Sequence, residues 1–273
     1  MHDHDRGLQF DLKTLRSRRS VLALFGGAGL AVLAGCDSGS PATPEPTATT
    51  SGPASSGTSA GTSAAGAVAE IPEETAGPFP GDGSNGPNVL TESGIVRADI
   101  RASFGSAGGT ADGVPLRIEL TVVEASSGEP MTGAAVYLWH CDRDGNYSLY
   151  SQAAADENYL RGVQAADDTG KVSFTSIFPA AYSGRWPHAH FEVYPALADA
   201  TSAGTKLVTS QLALPQDVCE KVYATGGYGA SVQNLARTSL PRDMVFGDGW
   251  SSQLADVSGD VGAGFVATLK VAV

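Results

Sequence analysis

The chain has 273 residues, of which 42% are hydrophobic and 17% charged, and its formal net charge is -12. This length suits one large domain or two small ones, and the 34 glycines indicate a β-rich globular protein with a flexible portion. The acidity argues against nucleic acid as a partner and is more typical of a soluble surface than of a recognition surface.

Residues 1–35 are predicted to be a targeting segment that is removed. The pair Arg18-Arg19 gives a twin-arginine pattern, and an apolar run over 21–33 follows, too short to be a permanent membrane span. The run ends in Leu-Ala-Gly-Cys, which resembles a lipoprotein signal-peptidase site, so we expect twin-arginine export and lipidation of Cys36. An ordinary secretory signal with a chance cysteine is the alternative. The protein would be lipid-anchored to the outer face of the cell membrane, or secreted.

Residues 36–70 are predicted to be a disordered linker. The segment consists mainly of Ser, Thr, Ala, Gly and Pro, and it cannot bury enough apolar surface to offset its ordering entropy. The folded domain is predicted over 71–273. It begins with a Pro- and Gly-rich arm at 72–80, which can be neither a regular helix nor a central strand.

Two cysteines remain in the predicted domain, Cys141 and Cys219. An even count in a chain bound for an oxidising compartment favours a disulfide over two free thiols. A thiol-based metal site is correspondingly not expected.

The domain is predicted to be an all-β sandwich with long active-site loops. Short alternating apolar runs, separated by turn residues, are typical of that fold. Residues 217–224 are the best candidate for a short helix, and 235–253 are expected to be irregular. Strands are predicted at 116–122, 134–140, 171–178, 188–194, 206–214 and 264–273.

The predicted strand 188–194 carries a histidine pair. Side chains alternate between the two faces of a strand, so His188, His190 and Glu192 share one face, while the intervening apolar residues point into the core. Two imidazoles on one face form half of a metal site. A chance polar face is the simpler explanation of the pair taken alone.

Further metal donors are concentrated upstream of this pair. Imidazole nitrogen and phenolate oxygen suit iron, copper or zinc, and phenolate oxygens favour a ferric ion. Two tyrosinates and one hydroxide would cancel the three positive charges of ferric iron, so such a site could be buried. The candidates are Tyr147, Tyr150, Tyr159, Tyr182, Arg185, His188 and His190.

Five short motifs, in this order along the chain, resemble those of the intradiol ring-cleavage dioxygenases. The likeness covers roughly residues 72–250 and is greatest to exported single-domain members. The segment 73–78 also resembles the arm that precedes their catalytic sandwich. The motifs are Gly145-Asn146-Tyr147, Leu160-Arg161-Gly162, Asp168-Thr169-Gly170, Pro179-Ala180-Ala181-Tyr182 and Arg185-x-x-His188-x-His190.

The resemblance implies that Tyr147, Tyr182, His188 and His190 bind a non-haem ferric ion, Fe(III). The implied reaction is cleavage of a small aromatic diol by O2 between the two hydroxyl-bearing carbons, which gives a muconate-type diacid. Tyr147 would also take up a substrate proton and so act in catalysis. Two alternatives stay open: Tyr150 in place of Tyr147 as the ligand, and Tyr182 as a packing residue.

The resemblance also implies substrate-binding residues. Arg185 matches a catalytic arginine beside the bound substrate, with a solvated surface arginine as the alternative, and Gln211 matches a glutamine near the same pocket. Trp186 stands beside Arg185 and is expected to alter substrate fit. The segment 182–188 is short for the family, which shortens a loop that walls the pocket. The choice of catechol and the oligomeric state, a homo-oligomer included, are left open.

Two other classes of function stay open. One is a surface-tethered β-sandwich binding module, and the other is an exported copper or zinc protein that uses the histidine pair. Neither accounts for the ordered set of tyrosines, arginine and histidines. Elsewhere, His140 and Trp139 are expected to lie in the core, and 142–145 to form a turn rather than a calcium site.

Overall fold

The computed structural model describes residues 66–202 and 204–273. The predicted targeting segment, Cys36 and nearly all of the linker lie outside the described residues, so the predictions made for them stay untested. Within the described ranges, no helix is long and apolar enough to cross a membrane.

The described residues form strands, short helices and long connections. The strands are β1 (Pro115–Val123), β2 (Ala135–Trp139), β3 (Arg161–Ala165), β4 (Lys171–Ile177), β5 (His188–Tyr194), β6 (Val208–Ala213), β7 (Asp256–Asp260) and β8 (Gly264–Ala272). The α-helices are α1 (Leu197–Thr201), α2 (Gln216–Tyr223) and α3 (Gly229–Leu235), and 3-10 helices lie at Gln152–Ala154, Leu240–Arg242 and Phe246–Asp248.

The strands form two four-stranded sheets, with the orders β4-β1-β8-β7 and β3-β2-β5-β6. β1 pairs in parallel with β8, and the other pairs are antiparallel. One cluster of buried apolar side chains includes Ile118 from β1 and Phe191 from β5, so the two sheets share a core. The predicted all-β sandwich is confirmed.

β5 is the strand that anchors the histidine pair. It lies between β2 and β6, and all seven of its residues are buried. Ala189, Phe191 and Val193 belong to the cluster between the sheets, as their alternation predicts. Burying one such large side chain contributes about 1.5–3 kcal/mol. His188 and His190 therefore extend from a strand that is fixed by its neighbours and by the core.

The six predicted strands and the predicted helix are present, but nothing in the sequence predicts β3 or β7. Gly162 interrupts the pattern of β3 because a Cβ there would lie 2.5 Å from a methyl group of Ile100. β7 is an exposed, polar edge strand without apolar alternation. α1 and α3 have only 5 and 7 residues, too few for a clear helical period.

Both cysteines are free and buried, so the expected disulfide is wrong. The two side chains belong to separate apolar clusters. Cys141 shares the smaller cluster with Trp139, whereas Cys219 of α2 lies in the cluster between the sheets. Burial raises the pKa of both thiols, and each fills the core as a small apolar group.

Candidate metal centre

The sheet itself holds His188 and His190. His190 lies opposite Trp139 of β2 and Gln211 of β6. Its ring stacks on the Trp139 indole, with centroids 4.9 Å apart and planes 6° apart. The Nε2 atoms of the two imidazoles are 3.1 Å apart, so the alternation of β5 brings both rings to one point.

Tyr147 reaches the histidines from the turn that follows β2. The Asp142 carboxylate accepts hydrogen bonds from the backbone N–H groups of Asp144 and Asn146. Gly145 closes the turn with a φ of +89°, a conformation that glycine adopts without steric cost. The predicted turn at this place is confirmed, and it leads through Asn146 to Tyr147, which is buried.

Tyr182 comes from the loop after β4, and that loop is fastened to the turn that carries Tyr147. The backbone N–H of Ala180 donates to the carbonyl oxygen of Asp142 at 3.1 Å. A Cβ at Gly145 would lie 3.4 Å from the Cβ of Tyr182, in van der Waals contact. The two loops therefore form one packed unit above the strand.

Four donor atoms form a closed ring. The Oη of Tyr147 lies 3.5 Å from the Oη of Tyr182 and 3.3 Å from Nε2 of His190. The Oη of Tyr182 lies 3.2 Å from Nε2 of His188. Metal bonds to such ligands are about 2.0–2.2 Å long, so donors around one ion lie about 3 Å apart. The spacing fits one metal ion, and two phenol oxygens with two imidazole nitrogens suit a ferric ion.

Burial keeps both imidazoles in the neutral form that a metal requires. It lowers the pKa of His188 to about 3, and the charge of Arg185 acts in the same direction. Burial, followed by the charges of His188 and Arg185, also lowers the pKa of His190. The Nδ1–H of His188 donates to the carbonyl of Trp186, which leaves Nε2 with its lone pair toward the donor ring. Nδ1 of His190 has no hydrogen-bond partner among the described residues, and stacking on Trp139 orients that ring.

The phenols have a different electrostatic environment. Burial and the neighbouring phenol of Tyr182 raise the pKa of Tyr147 well above its usual value near 10. A multivalent cation is therefore needed to hold this side chain as a phenolate. Tyr182 is half-buried, whereas the other three donor residues are buried, so Tyr182 is the donor residue most exposed to solvent.

Arg185 is buried beside the donor ring, with 3% of its side chain exposed, so the surface alternative is wrong. Its Nε donates to Asp243 at 3.0 Å, and its Nη2 donates to Oε1 of Gln211 at 2.6 Å. Gln211 in turn donates to the carbonyl of Thr75 in the arm. Burial acts to raise the pKa of Asp243, but Arg185 and the surrounding N–H groups outweigh it and hold that pKa below its usual range.

Comparisons with known proteins point to one family. A family model described as Dioxygenase matches residues 86–217. A stretch of 60 residues is 43% identical to chlorocatechol 1,2-dioxygenase of Rhodococcus opacus and covers 22% of this chain and 23% of that protein. A stretch of 61 residues is 36% identical to catechol 1,2-dioxygenase 2 of Acinetobacter lwoffii and covers 22% of each protein. These matches support the intradiol ring-cleavage dioxygenase family for residues 86–217.

The alignments with these curated relatives span less than a quarter of their length. An intradiol ring-cleavage dioxygenase from Tetranychus urticae has a similar fold, with a TM-score of 0.60 and 21% identity. That likeness covers 75% of this chain and 94% of the Tetranychus protein.

The other candidate tyrosines point elsewhere. Tyr150 donates from its Oη to the carbonyl of Asn85 at 2.9 Å. Tyr159 donates to the carboxylate of Asp142 at 3.2 Å. The structure therefore brings Tyr147, and not Tyr150, into contact with the histidines.

Two further predicted residues lie in the core. Trp186 packs between the sheets, and its indole N–H donates to the carbonyl of Leu214 at 2.8 Å. What it presents to the donor ring is its backbone carbonyl, which His188 bonds, and its part in substrate fit stays a prediction. His140 is a satisfied core histidine, as expected, because it bonds to the next residue's carbonyl and to Ser176.

Two residues that order the site carry no clear signal in the sequence. Arg161 lies beneath the loop of Tyr147, and although it belongs to a recognised motif, its contacts do not follow from that motif. Asp243 lies 58 residues beyond the arginine that it binds, in the segment 235–253, which shows no periodicity. An acidic residue in such a segment would ordinarily be read as solvated.

Proposed function

We propose that this protein is a non-haem ferric dioxygenase of the intradiol type, which uses O2 to cleave catechol-type rings between the two hydroxyl-bearing carbons. The product would be a muconate-type diacid. The observation that carries the proposal is the ring of two phenol oxygens and two imidazole nitrogens, spaced 3.1–3.5 Å apart, beside a buried arginine. The names of the relatives, catechol and chlorocatechol dioxygenases, support catechol-type diols as the substrate class.

The ferric ion would be held by Tyr147, Tyr182, His188 and His190. Two phenolates bring two negative charges into the pocket and offset most of the charge of the ion. The remaining net charge is small, which lowers the free-energy cost of burying the site. Bound ferric iron would draw electron density from a coordinated diol and so prepare its ring for reaction with O2.

Tyr147 is proposed to accept a proton from the substrate at its Oη. This oxygen is buried and lies 3.3 Å from Nε2 of His190, so a diol that shares the same ion would have it within reach. The substrate would enter from the side of Tyr182, the only one of the four donor residues that is not fully buried. Proton transfer by a positioned side chain contributes about 10²–10⁴-fold to a rate.

Arg185 is proposed to supply a fixed positive charge to the substrate anion. Asp243 and Gln211 hold two of its nitrogens, at 3.0 and 2.6 Å. Since the guanidinium is already oriented, it need not reorganise as negative charge develops. A preorganised group of this kind contributes about 3 kcal/mol to transition-state stabilisation.

The decisive experiment is oxygen uptake by the iron-loaded protein against a panel of catechols, with identification of the products. We expect visible absorption from phenolate-to-iron charge transfer, O2 consumption that is stoichiometric with the diol, and a diacid product. Protein that stays colourless after addition of ferric salt would contradict the ligand assignment. Ring opening beside the hydroxyl groups, rather than between them, would contradict the reaction.

Three variants test the individual roles. Tyr182→Ala and His188→Ala are expected to lose both bound iron and turnover. Arg185→Ala is expected to keep the colour and lose about 10²–10³-fold in rate. Full activity in either ligand variant would overturn the site, and normal turnover by Arg185→Ala would remove its catalytic role.

We further propose twin-arginine export and a lipid anchor on Cys36. The pattern Arg18-Arg19, the apolar run after it and the Leu-Ala-Gly-Cys sequence support this location. Mass analysis of the N-terminal peptide of membrane-associated protein should find a lipidated Cys36. A mature protein that retains residues 1–35 would contradict the proposal.

A further inference from the structure

Asp243 is a buried carboxylate between two 3-10 helices, and its side chain is 0% exposed. It accepts hydrogen bonds from four N–H groups. Nε of Arg185 lies 3.0 Å from Oδ2, and the backbone nitrogen of Trp186 lies 2.6 Å from the same oxygen. The backbone nitrogens of Val245 and Phe246 lie 2.9 and 3.2 Å from Oδ1.

These contacts join two parts of the chain that are far apart in sequence. The bonds from Val245 and Phe246 fix the carboxylate to its own loop. The bonds from the Arg185 side chain and the Trp186 backbone N–H then hold the segment that precedes β5 against this loop. Gln211 binds Nη2 on the other side of the guanidinium, so the plane of Arg185 is defined at two separate nitrogens.

We propose that Asp243 is a positioning residue that orients the Arg185 guanidinium for the reaction. The inference deepens the proposed function and rests on it. Asp243 acts on the substrate only through Arg185, and its carboxylate also supplies the counter-charge that a buried guanidinium needs.

A carboxylate, rather than an amide, is required at this position. All four groups that face Asp243 are N–H donors, and a carboxylate is an acceptor only. Asp243→Asn conserves the volume, but it turns one acceptor into a donor and removes the charge. The substitution therefore perturbs the orientation of Arg185 with little change in packing.

The first arm of the test is kinetic. Arg185 is proposed to act on the transition state, so Asp243→Asn should lower kcat by about 10–100-fold and change KM by less than about threefold. In an Arg185→Ala background the same substitution should change kcat by less than about threefold, because no guanidinium is left to orient. If kcat of the double variant fell by the product of the two single-variant factors, the two residues would act independently and the proposal would be overturned.

The second arm needs neither iron nor turnover. In the iron-free protein labelled with ¹⁵N, the Nε–H signal of Arg185 should be protected from solvent exchange and should lose that protection in Asp243→Asn. The Nε–H signal of Arg161, which donates to Ser148 at 3.0 Å, serves as the internal control and should not change. An unchanged Arg185 signal would overturn the proposal.

Two further variants complete the design. Asp217→Asn removes an exposed carboxylate that pairs with Lys221 on α2, and it should leave rate and signals unchanged. If Asp243→Asn fails to fold, Asp243→Glu takes its place, because it keeps the negative charge. The kcat of Asp243→Glu should fall in proportion to the loss of exchange protection at the Nε–H of Arg185. Lost protection with an unchanged kcat would overturn the role. Absence of turnover in the wild-type protein would instead contradict the proposed function, and the exchange measurement would still test the orientation of Arg185.

Discussion

His188 and His190, the strand half of the donor ring, stand two residues apart on β5. Tyr147 and Tyr182, the loop half, come from two loops that are 35 residues apart. The strand half is placed by ladders to β2 and β6 and by the core behind it. The loop half lacks such ladders at its donors, and its geometry depends on specific contacts between side chains and backbone.

The main support of the Tyr147 loop is the buried side chain of Arg161. Its five N–H groups all donate to neutral acceptors, at distances from 2.8 to 3.0 Å. The acceptors are the carbonyls of Phe79, Pro80 and Ser148, the hydroxyl of Ser148 and that of Tyr137. One guanidinium thus joins the arm, β2, β3 and the loop of Tyr147. A sheet thus positions two ligands by its regular pairing, whereas a loop needs added polar support.

The largest effect is expected when Tyr147, a metal donor of the loop half, is replaced. Tyr147→Phe should shift the charge-transfer band of the iron-loaded protein and lower kcat by about 10²-fold, because the proton acceptor is lost. Tyr150→Phe is the matched control, and it should keep the band. It loses the hydrogen bond that the Tyr150 hydroxyl donates to Asn85 and the one that it accepts from the Gly81 N–H, each worth about 1 kcal/mol of stability. Visible spectra and steady-state rates check both variants. If the charge-transfer band shifted in Tyr150→Phe and not in Tyr147→Phe, Tyr150 would be the metal ligand in place of Tyr147.

The second largest effect is expected when the support of the Tyr147 loop is removed. Arg161→Met leaves its buried acceptors unsatisfied and should lower the free energy of unfolding by about 3 kcal/mol. Arg101→Met, which breaks an exposed ion pair with Asp99, should cost less than about 1 kcal/mol. Urea unfolding of the iron-free proteins measures both changes. Equal losses of unfolding free energy in the two variants would show that Arg161 does not support the Tyr147 loop.

The smallest effect concerns His140, a histidine outside both halves. Burial lowers its pKa to about 4, from an unfolded value of 6.5. The unfolded chain therefore binds this proton first, so the contribution of neutral His140 is complete above about pH 6.5 and is lost as pH falls toward 4. The loss should reach about 2 kcal/mol at pH 5.

The difference in unfolding free energy between the wild-type protein and His140→Gln, followed from pH 7 to pH 5, isolates this contribution. The variant should show the weaker dependence on pH and should keep its bound iron. Parallel pH curves for the two proteins would mean that His140 does not stay neutral in the folded state.

The sequence predicts the two halves of the site to different degrees. The strand half follows from alternation alone, because a period of two and an apolar opposite face define β5 and the direction of its histidines. The convergence of Tyr147 and Tyr182 does not follow from any period, and only their order within the motifs suggests it. The structure supplies the reason, since the bond between Ala180 and Asp142 joins loops from different parts of the chain.

Buried polar contacts were the least predictable part of the molecule. Asp243 meets Arg185 across 58 residues, and Arg161 meets Pro80 across 81. Such pairs depend on the complete packing of the sandwich, and composition or spacing near either residue does not encode them. The expected disulfide failed for a related reason, because counting cysteines does not reveal that Cys141 and Cys219 belong to different clusters.

The parallel pairing of β1 with β8 has a consequence for how the protein is made. Leu116 pairs with Phe265, so one edge of β1 has no strand beside it until a segment about 150 residues further along has left the ribosome. Non-local pairing of this kind slows folding, because a long loop must close before the contact forms. During synthesis the unpaired backbone groups along this edge of β1 would be open to pairing with other chains, and chaperone binding at this strand would lower the yield of aggregates.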